Sequence, residues 1–189
     1  MLSYNVDMAY SSYYWKQIIK RDVRLLDKKL QLSHAEIEKD LDKHFSDIEI
    51  KIMTLAYIVR KMADTHKLPD VLTEEELKIK VYSRNKGFQR RTYIDISEEY
   101  NLENSSSTKF RIRKICNQII HSYLIQAVGT RKKAFKYVWF VSEGDKDKGL
   151  YQMTIKDFLR LLLKIANSQI RTVHATYNEE NGEWIYARS

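Results

Sequence analysis

Residues 109–128, KFRIRKICNQIIHSYLIQAV, decide how the middle of this chain is read. Ile115, Ile119, Ile120 and Leu124 recur at the three- and four-residue intervals of a helix buried along one side. Ser107 or Thr108 is a good N-cap ahead of them, and Gly129 behind them suits a left-handed C-terminal cap. The spacing predicts a helix over residues 108–128. Each step of four residues on that helix turns by only about 40°, so Arg113, Asn117 and His121 fall on one drifting stripe beside the apolar side. A histidine there can take or give a proton near neutral pH, an arginine can neutralise a phosphate through a charge-assisted fork, and an amide can orient either. Asparagine is also a poor helix-interior residue, so Asn117 asks for a reason. The competing reading is a structural histidine that closes a buried polar contact.

Working outward, residues 8–32 place Trp15, Ile18, Ile19, Leu25, Leu26 and Leu30 at helical intervals with Lys16, Lys20, Arg21 and Arg24 between them, which predicts one amphipathic helix. Ser33, followed three residues later by Glu36, has the signature of a capping box and opens a second helix. Its stripe runs through Ile37, Leu41, Phe45, Ile48, Ile52 and Leu55 to about Lys67, before Pro69, with a break placed between His44 and Asp47. The periodicity then weakens. Residues 68–107, ending in the polar tract NLENSSST, read as a linker region with a short helix and room for one strand. In the tail, KAFKYVWFV and GLYQMTI are β-rich runs around the turn-forming SEGDKDKG, TIKDFLRLLLKIANS returns to helical period, and TVHATY and EWIYA flank NEENG as a second hairpin. The expected fold class is mainly α: a helical domain over residues 1–129, with a small C-terminal α+β extension (hairpin, helix, hairpin) over residues 130–189 packed on it.

A chain of 189 residues with 43% apolar and 31% charged residues is ordinary for one folded unit and unlike a disordered segment. Its apolar runs fall far short of the roughly 20 residues that span a bilayer, so no membrane partner is expected. One cysteine, Cys116, makes no internal disulfide, and no cysteine and histidine spacing fits zinc; a cytoplasmic address without metal or cofactor is the expectation. Cys116 itself reads as a small buried apolar residue, since a thiol paired with His121 would point about 140° away from it on a helix.

The net charge of +8 favours an anionic partner, because each Lys or Arg meeting a phosphate releases counterions. Two basic stretches are candidates. SRNKGFQRRTY interleaves Arg84, Lys86, Arg90 and Arg91 with Tyr82, Phe88 and Tyr93, which combines phosphate contact with base stacking. TRKKAFKY adds Arg131, Lys132, Lys133 and Lys136 directly after the predicted helix. Their bland reading is a solvated loop and a charged hairpin edge that discourages strand pairing.

CNQIIHSY resembles the active-site motif of the HEPN family, in which arginine is followed by a polar residue, usually asparagine, then three residues, a histidine and, in the toxin branch, one more residue and a tyrosine. Asn117, His121 and Tyr123 stand at the matching positions. Cys116 stands where the family has arginine, and Arg113 lies one turn earlier on the same side. The resemblance implies a HEPN-like helical bundle over residues 8–129 and a metal-independent endoribonuclease of toxin-antitoxin or antiphage defence. It further implies a homodimer whose two motif helices line one cleft, with His121 moving protons and a basic group facing the charged phosphorane. Members without the arginine are expected to bind RNA, an antitoxin or another protein instead of cleaving. The alternative is therefore a non-enzymatic interaction or regulatory protein whose HEPN-like helix is degenerate.

Overall fold

The computed structural model describes residues 8–85, 95–131 and 133–188. Helix α1 (Met8–Lys29) is followed by the short α2 (His34–Ile37), a 3-10 turn and the long α3 (Leu41–Asp64). Ser33 caps α2 as the sequence signals, its side chain accepting the Glu36 N–H while the Glu36 carboxylate accepts the Ser33 N–H. The break before α3 falls at Glu38–Asp40, ahead of the expected position, and α3 continues straight through His44 and Asp47. A turn, α4 (Asp70–Thr73), leads to β1 (Glu76–Arg84), and α5 (Ile96–Glu99) leads to β2 (Tyr100–Arg111). Then come α6 (Ile112–Ile120), β3 (Ser122–Thr130), β4 (Lys133–Ser142), β5 (Leu150–Thr154), α7 (Ile155–Asn167) and a separate hairpin, β6 (Val173–Asn178) with β7 (Glu183–Arg188).

The expected mainly-α, HEPN-like bundle is overturned. The chain is 48% helix and 33% strand, built on a five-stranded antiparallel sheet in the order β2-β1-β5-β4-β3, with β6 and β7 as a second sheet. Strands from both sides of position 130 hydrogen-bond within the large sheet. The correction comes from two places. The predicted helix over residues 108–128 stops at Ile120, and SYLIQAVGT becomes β3, whose Leu124, Ile125, Gln126 and Ala127 lie opposite Val141, Phe140, Trp139 and Val138 of β4. A run of β-branched and aromatic partners favours the strand, and cross-strand pairing outweighs a helical spacing that is ambiguous over so short a segment. Gly129 accordingly lies inside β3 instead of capping a helix. The supposed linker holds two strands: Leu77, Ile79 and Val81 alternate with Lys78 and Lys80 along β1, and the polar tract lies in β2, an outer strand that pairs Ser107, Ser106 and Ser105 with Lys80, Val81 and Tyr82. An outer strand with a solvated side carries no packing burden that would mark it in sequence.

The elements of the tail form as read, but β4 and β5 join the central sheet instead of making a separate extension. The β4–β5 pair, α7 and the β6–β7 hairpin all form where the sequence placed them, and Thr154 caps α7 by accepting the Asp157 N–H.

Helices α7, α1, α3 and α6 lie side by side, each against the next, and pack on one face of the sheet. Ile79 of β1, Phe110 of β2, Ala127 of β3, Val138 and Phe140 of β4, and Tyr151 and Met153 of β5 are buried beneath them. Against these the helices bring Ile19, Leu26, Ile52, Leu55, Ile115, Phe158 and Leu162, all fully buried. Burying side chains of this size contributes roughly 1.5–3 kcal/mol each, which makes this layer the core of the molecule. These four helices lie on one face of the sheet; on the other, Tyr82, Val141 and Leu150 are buried near one end while Lys78 and Lys80 are exposed.

Candidate functional site

The sheet face turned away from these helices is defined by strand alternation and register. Ser107, Lys80, Gln152, Trp139 and Gln126 stand in one row across all five strands, and Lys78 and Tyr137 stand two residues further along β1 and β4 on the same side. Lys78, Lys80, Ser105, Ser107 and Lys109 are exposed, while Tyr137, Trp139, Gln126 and Val128 are half-buried. Neither Lys78 nor Lys80 has an ion pair among the described residues, whereas Lys109 meets Glu76 at 3.7 Å. Lys136 is exposed too, and its ammonium lies 4.8 Å from the centre of the Tyr137 ring.

The middle of this face is held rigidly. Trp139 Nε1–H donates to Gln152 Oε1 at 2.7 Å, and the Tyr82 hydroxyl donates to the same oxygen at 3.1 Å. An indole is only a donor, so the acceptor must be the amide oxygen, and the orientation of Gln152 is fixed. Tyr82 and Trp139 meet edge to face with centroids 6.3 Å apart. Burial, and to a lesser extent the neighbouring Tyr137, raises the Tyr82 phenol above its ordinary value, so it keeps its proton for Gln152. The arrangement presents fixed aromatic surface flanked by exposed cations, which is what stacking a base beside a phosphate requires.

The residues of the predicted stripe lie elsewhere, on α6 and just beyond it. Arg113 is exposed and ion-paired with Asp64 of α3, which also holds Arg60. Asn117 is half-buried, and its backbone carbonyl accepts the His121 N–H at 3.1 Å. His121 is the residue that ends α6, and its ring is exposed and makes no hydrogen bond among the described residues. Tyr123 belongs to β3, with its hydroxyl 3.5 Å from Glu99 and its ring under Lys146. One helix therefore carries Arg113 and Asn117, while Tyr123 is oriented by a different element. Cys116, at the arginine position of the family motif, is fully buried, and burial pushes its thiol up to about 12, so it is a neutral core residue near pH 7.

The predicted basic residues also divide. Arg84 is turned inward, 3.2 Å from the fully buried Glu99 carboxylate and paired with Asp147. Lys86, Arg90, Arg91 and Lys132 lie outside the described residues, as does the side chain of Lys133. Arg131 is exposed in the turn between β3 and β4, and Lys136 adjoins the open sheet face. The sequence reading passed over Lys78, Lys80, Tyr137 and Trp139 as a site. Their signal was present as alternation, since KIKVY puts both lysines, and KYVWF puts Tyr137 and Trp139, on one side of a strand.

No helix among the described residues is long and apolar enough to cross a membrane, and no cluster of metal-ligating side chains occurs among them. No family model matches this chain, and no curated protein or solved structure matches it.

Proposed function

We propose that this chain binds single-stranded RNA on the open face of its five-stranded sheet, without cleaving it. The observation that carries this reading is Trp139 and Tyr137 standing beside the exposed Lys78 and Lys80, which have no ion pair among the described residues, on the sheet face turned away from α1, α3, α6 and α7. The rings offer stacking surface to unpaired bases, the lysines meet the backbone, and the Ser105 and Ser107 hydroxyls offer partners to a 2′-hydroxyl. Binding rather than cleavage is favoured because Arg113, the cation of the predicted stripe with His121, is engaged by Asp64.

The test is titration of a fluorescent single-stranded oligoribonucleotide, followed by anisotropy at several salt concentrations. Three lysines at the backbone, Lys78, Lys80 and Lys109, give a log–log salt slope of about −2, and Lys80→Gln should reduce its magnitude by about 0.7. The matching oligodeoxyribonucleotide should bind more weakly. Affinity unchanged in Lys78→Glu/Lys80→Glu, or no binding at low salt, contradicts the proposal.

A further inference from the structure

Helix α1 turns a cationic side to solvent. Ile19, Asp22, Val23 and Leu26 are buried on its inner side. On the opposite side, within about 70° of its middle, stand Gln17, Lys20, Arg21, Arg24 and Lys28, with the exposed Tyr13 and Tyr14 at its start. Both acids of the helix are turned away from this side. Asp22 is buried, with Arg21 at 2.8 Å and Lys51 at 3.8 Å, and Asp27 borders a hollow toward α7 with Phe135, Lys136 and Lys156. The acids next to it on the α7 side are already engaged, Asp157 by Arg160 and Glu75 by Lys164. Lys20, Arg24 and Lys28 have no ion pair among the described residues. Burial first, and then the charge of Lys20, lowers the Lys16 ammonium below its ordinary value, which fits a locally unbalanced positive charge.

We propose that this side of α1 binds the phosphate backbone of a nucleic-acid duplex without reading its bases. Lys20, Arg24 and Lys28 follow one another at four-residue steps, each an advance of about 6 Å along the helix, close to the distance between consecutive phosphates of one strand. A row of cations fixed on a helix suits the fixed phosphates of a duplex, whereas a flexible single strand must first be ordered to meet it. The bases stay out of reach. Helix α1 is flanked by α7 and α3, and three helices abreast are wider than a groove of about 12 Å. A lipid surface is the less suited partner, since the middle of the row carries no apolar side chain to enter it. This surface lies on the helix layer, away from the sheet face proposed for single-stranded RNA, and stands independently of that reading.

The experiment is anisotropy of fluorescent blunt RNA and DNA duplexes of about 20 base pairs, titrated with the full chain at several salt concentrations. Both duplexes should bind, with a log–log salt slope of about −2.7 from three phosphate contacts. K20Q/R24Q/K28Q, with folding confirmed by circular dichroism, should lose that slope and bind at least tenfold more weakly at low salt. The single variants R24Q and K28Q should each reduce the slope by about 0.9. Lys78→Glu/Lys80→Glu, which removes more charge from the other side of the molecule, should move duplex affinity less than the triple variant does. Single-stranded RNA should respond in the reverse order, so failure of either site is distinguishable from failure of the other. No duplex binding at low salt, a triple variant that binds as tightly as the unmodified chain, or binding to phosphatidylserine vesicles in place of duplexes overturns the proposal.

Discussion

The two faces of the large sheet use adjacent residues of the same strand for opposite purposes. Along β4, Val138 and Phe140 are fully buried under the helices, while Tyr137 and Trp139, one position away, lie half-buried on the uncovered side. The helix side is closed by apolar contacts on every strand. The other side is buried at Val141 and Leu150 near one end, is tied at its middle by the Trp139 and Tyr82 hydrogen bonds to Gln152, and is bordered by exposed lysines. If the second face binds RNA as proposed, substitutions a single residue apart should separate stability from binding.

The largest effect is expected on the helix side. Phe140→Ala empties a fully buried position and should lower stability by about 3–5 kcal/mol in denaturant unfolding, while RNA affinity per folded molecule changes little. A position shared by both faces comes next. Gly149 has φ +137°, and a Cβ there would sit 2.7 Å from the Tyr82 carbonyl oxygen, forcing β5 away from β1. Gly149→Ala should therefore cost about 2–4 kcal/mol of stability, and it should weaken RNA binding as well, because the row Lys80, Gln152, Trp139 loses its register. On the open side, Trp139→Ala should weaken RNA binding by about 1–3 kcal/mol, the worth of one stacked base, with a smaller loss of stability than Phe140→Ala; Trp139→Phe should restore most of the affinity.

The smallest effect is one of pH and sharpens the same division. The Asp145 carboxyl is held below its ordinary value, first by the hydrogen bond from Lys148 and then by that charge, Tyr151 and Gln118, all of which outweigh its partial burial. A depressed folded value means that its contribution is complete above the ordinary aspartate range and is lost as pH falls through the lower folded value. Unfolding midpoints should fall below about pH 4 by an amount of the order of 1 kcal/mol, and Asp145→Asn should flatten that dependence. Glu49 works in the opposite sense. Burial raises its carboxyl against the hydrogen bond from the Ala127 N–H, so its contribution declines as pH rises above the ordinary glutamate range. RNA affinity between pH 5 and 8 should follow neither group.

Where the sequence was legible, the local signal and the tertiary structure agreed. Ser33 with Glu36, Thr154 with Asp157 and the apolar period of IKDFLRLLLKIAN marked helices that form as read. It misled at residues 109–128 because the helical spacing of Ile115, Ile119 and Leu124 crosses the point where α6 ends and β3 begins, and only β4 reveals the strand. The serines of β2 gave no signal, because an outer strand's solvated side needs no apolar residue. The site was obscured for a related reason. Tyr137 and Trp139 were visible as strand residues, but which side of β4 remains open follows from where four helices pack, and that is a property of the whole chain.

The most direct measurement is a nitrogen–proton correlation spectrum of the labelled protein during titration with a single-stranded oligoribonucleotide. Shifts concentrated at Lys78, Lys80, Tyr137, the Trp139 indole and Gln152 are expected, with α6 unmoved. Shifts centred on Arg113, Asn117 and His121, or none at low salt, would contradict RNA recognition by the open face.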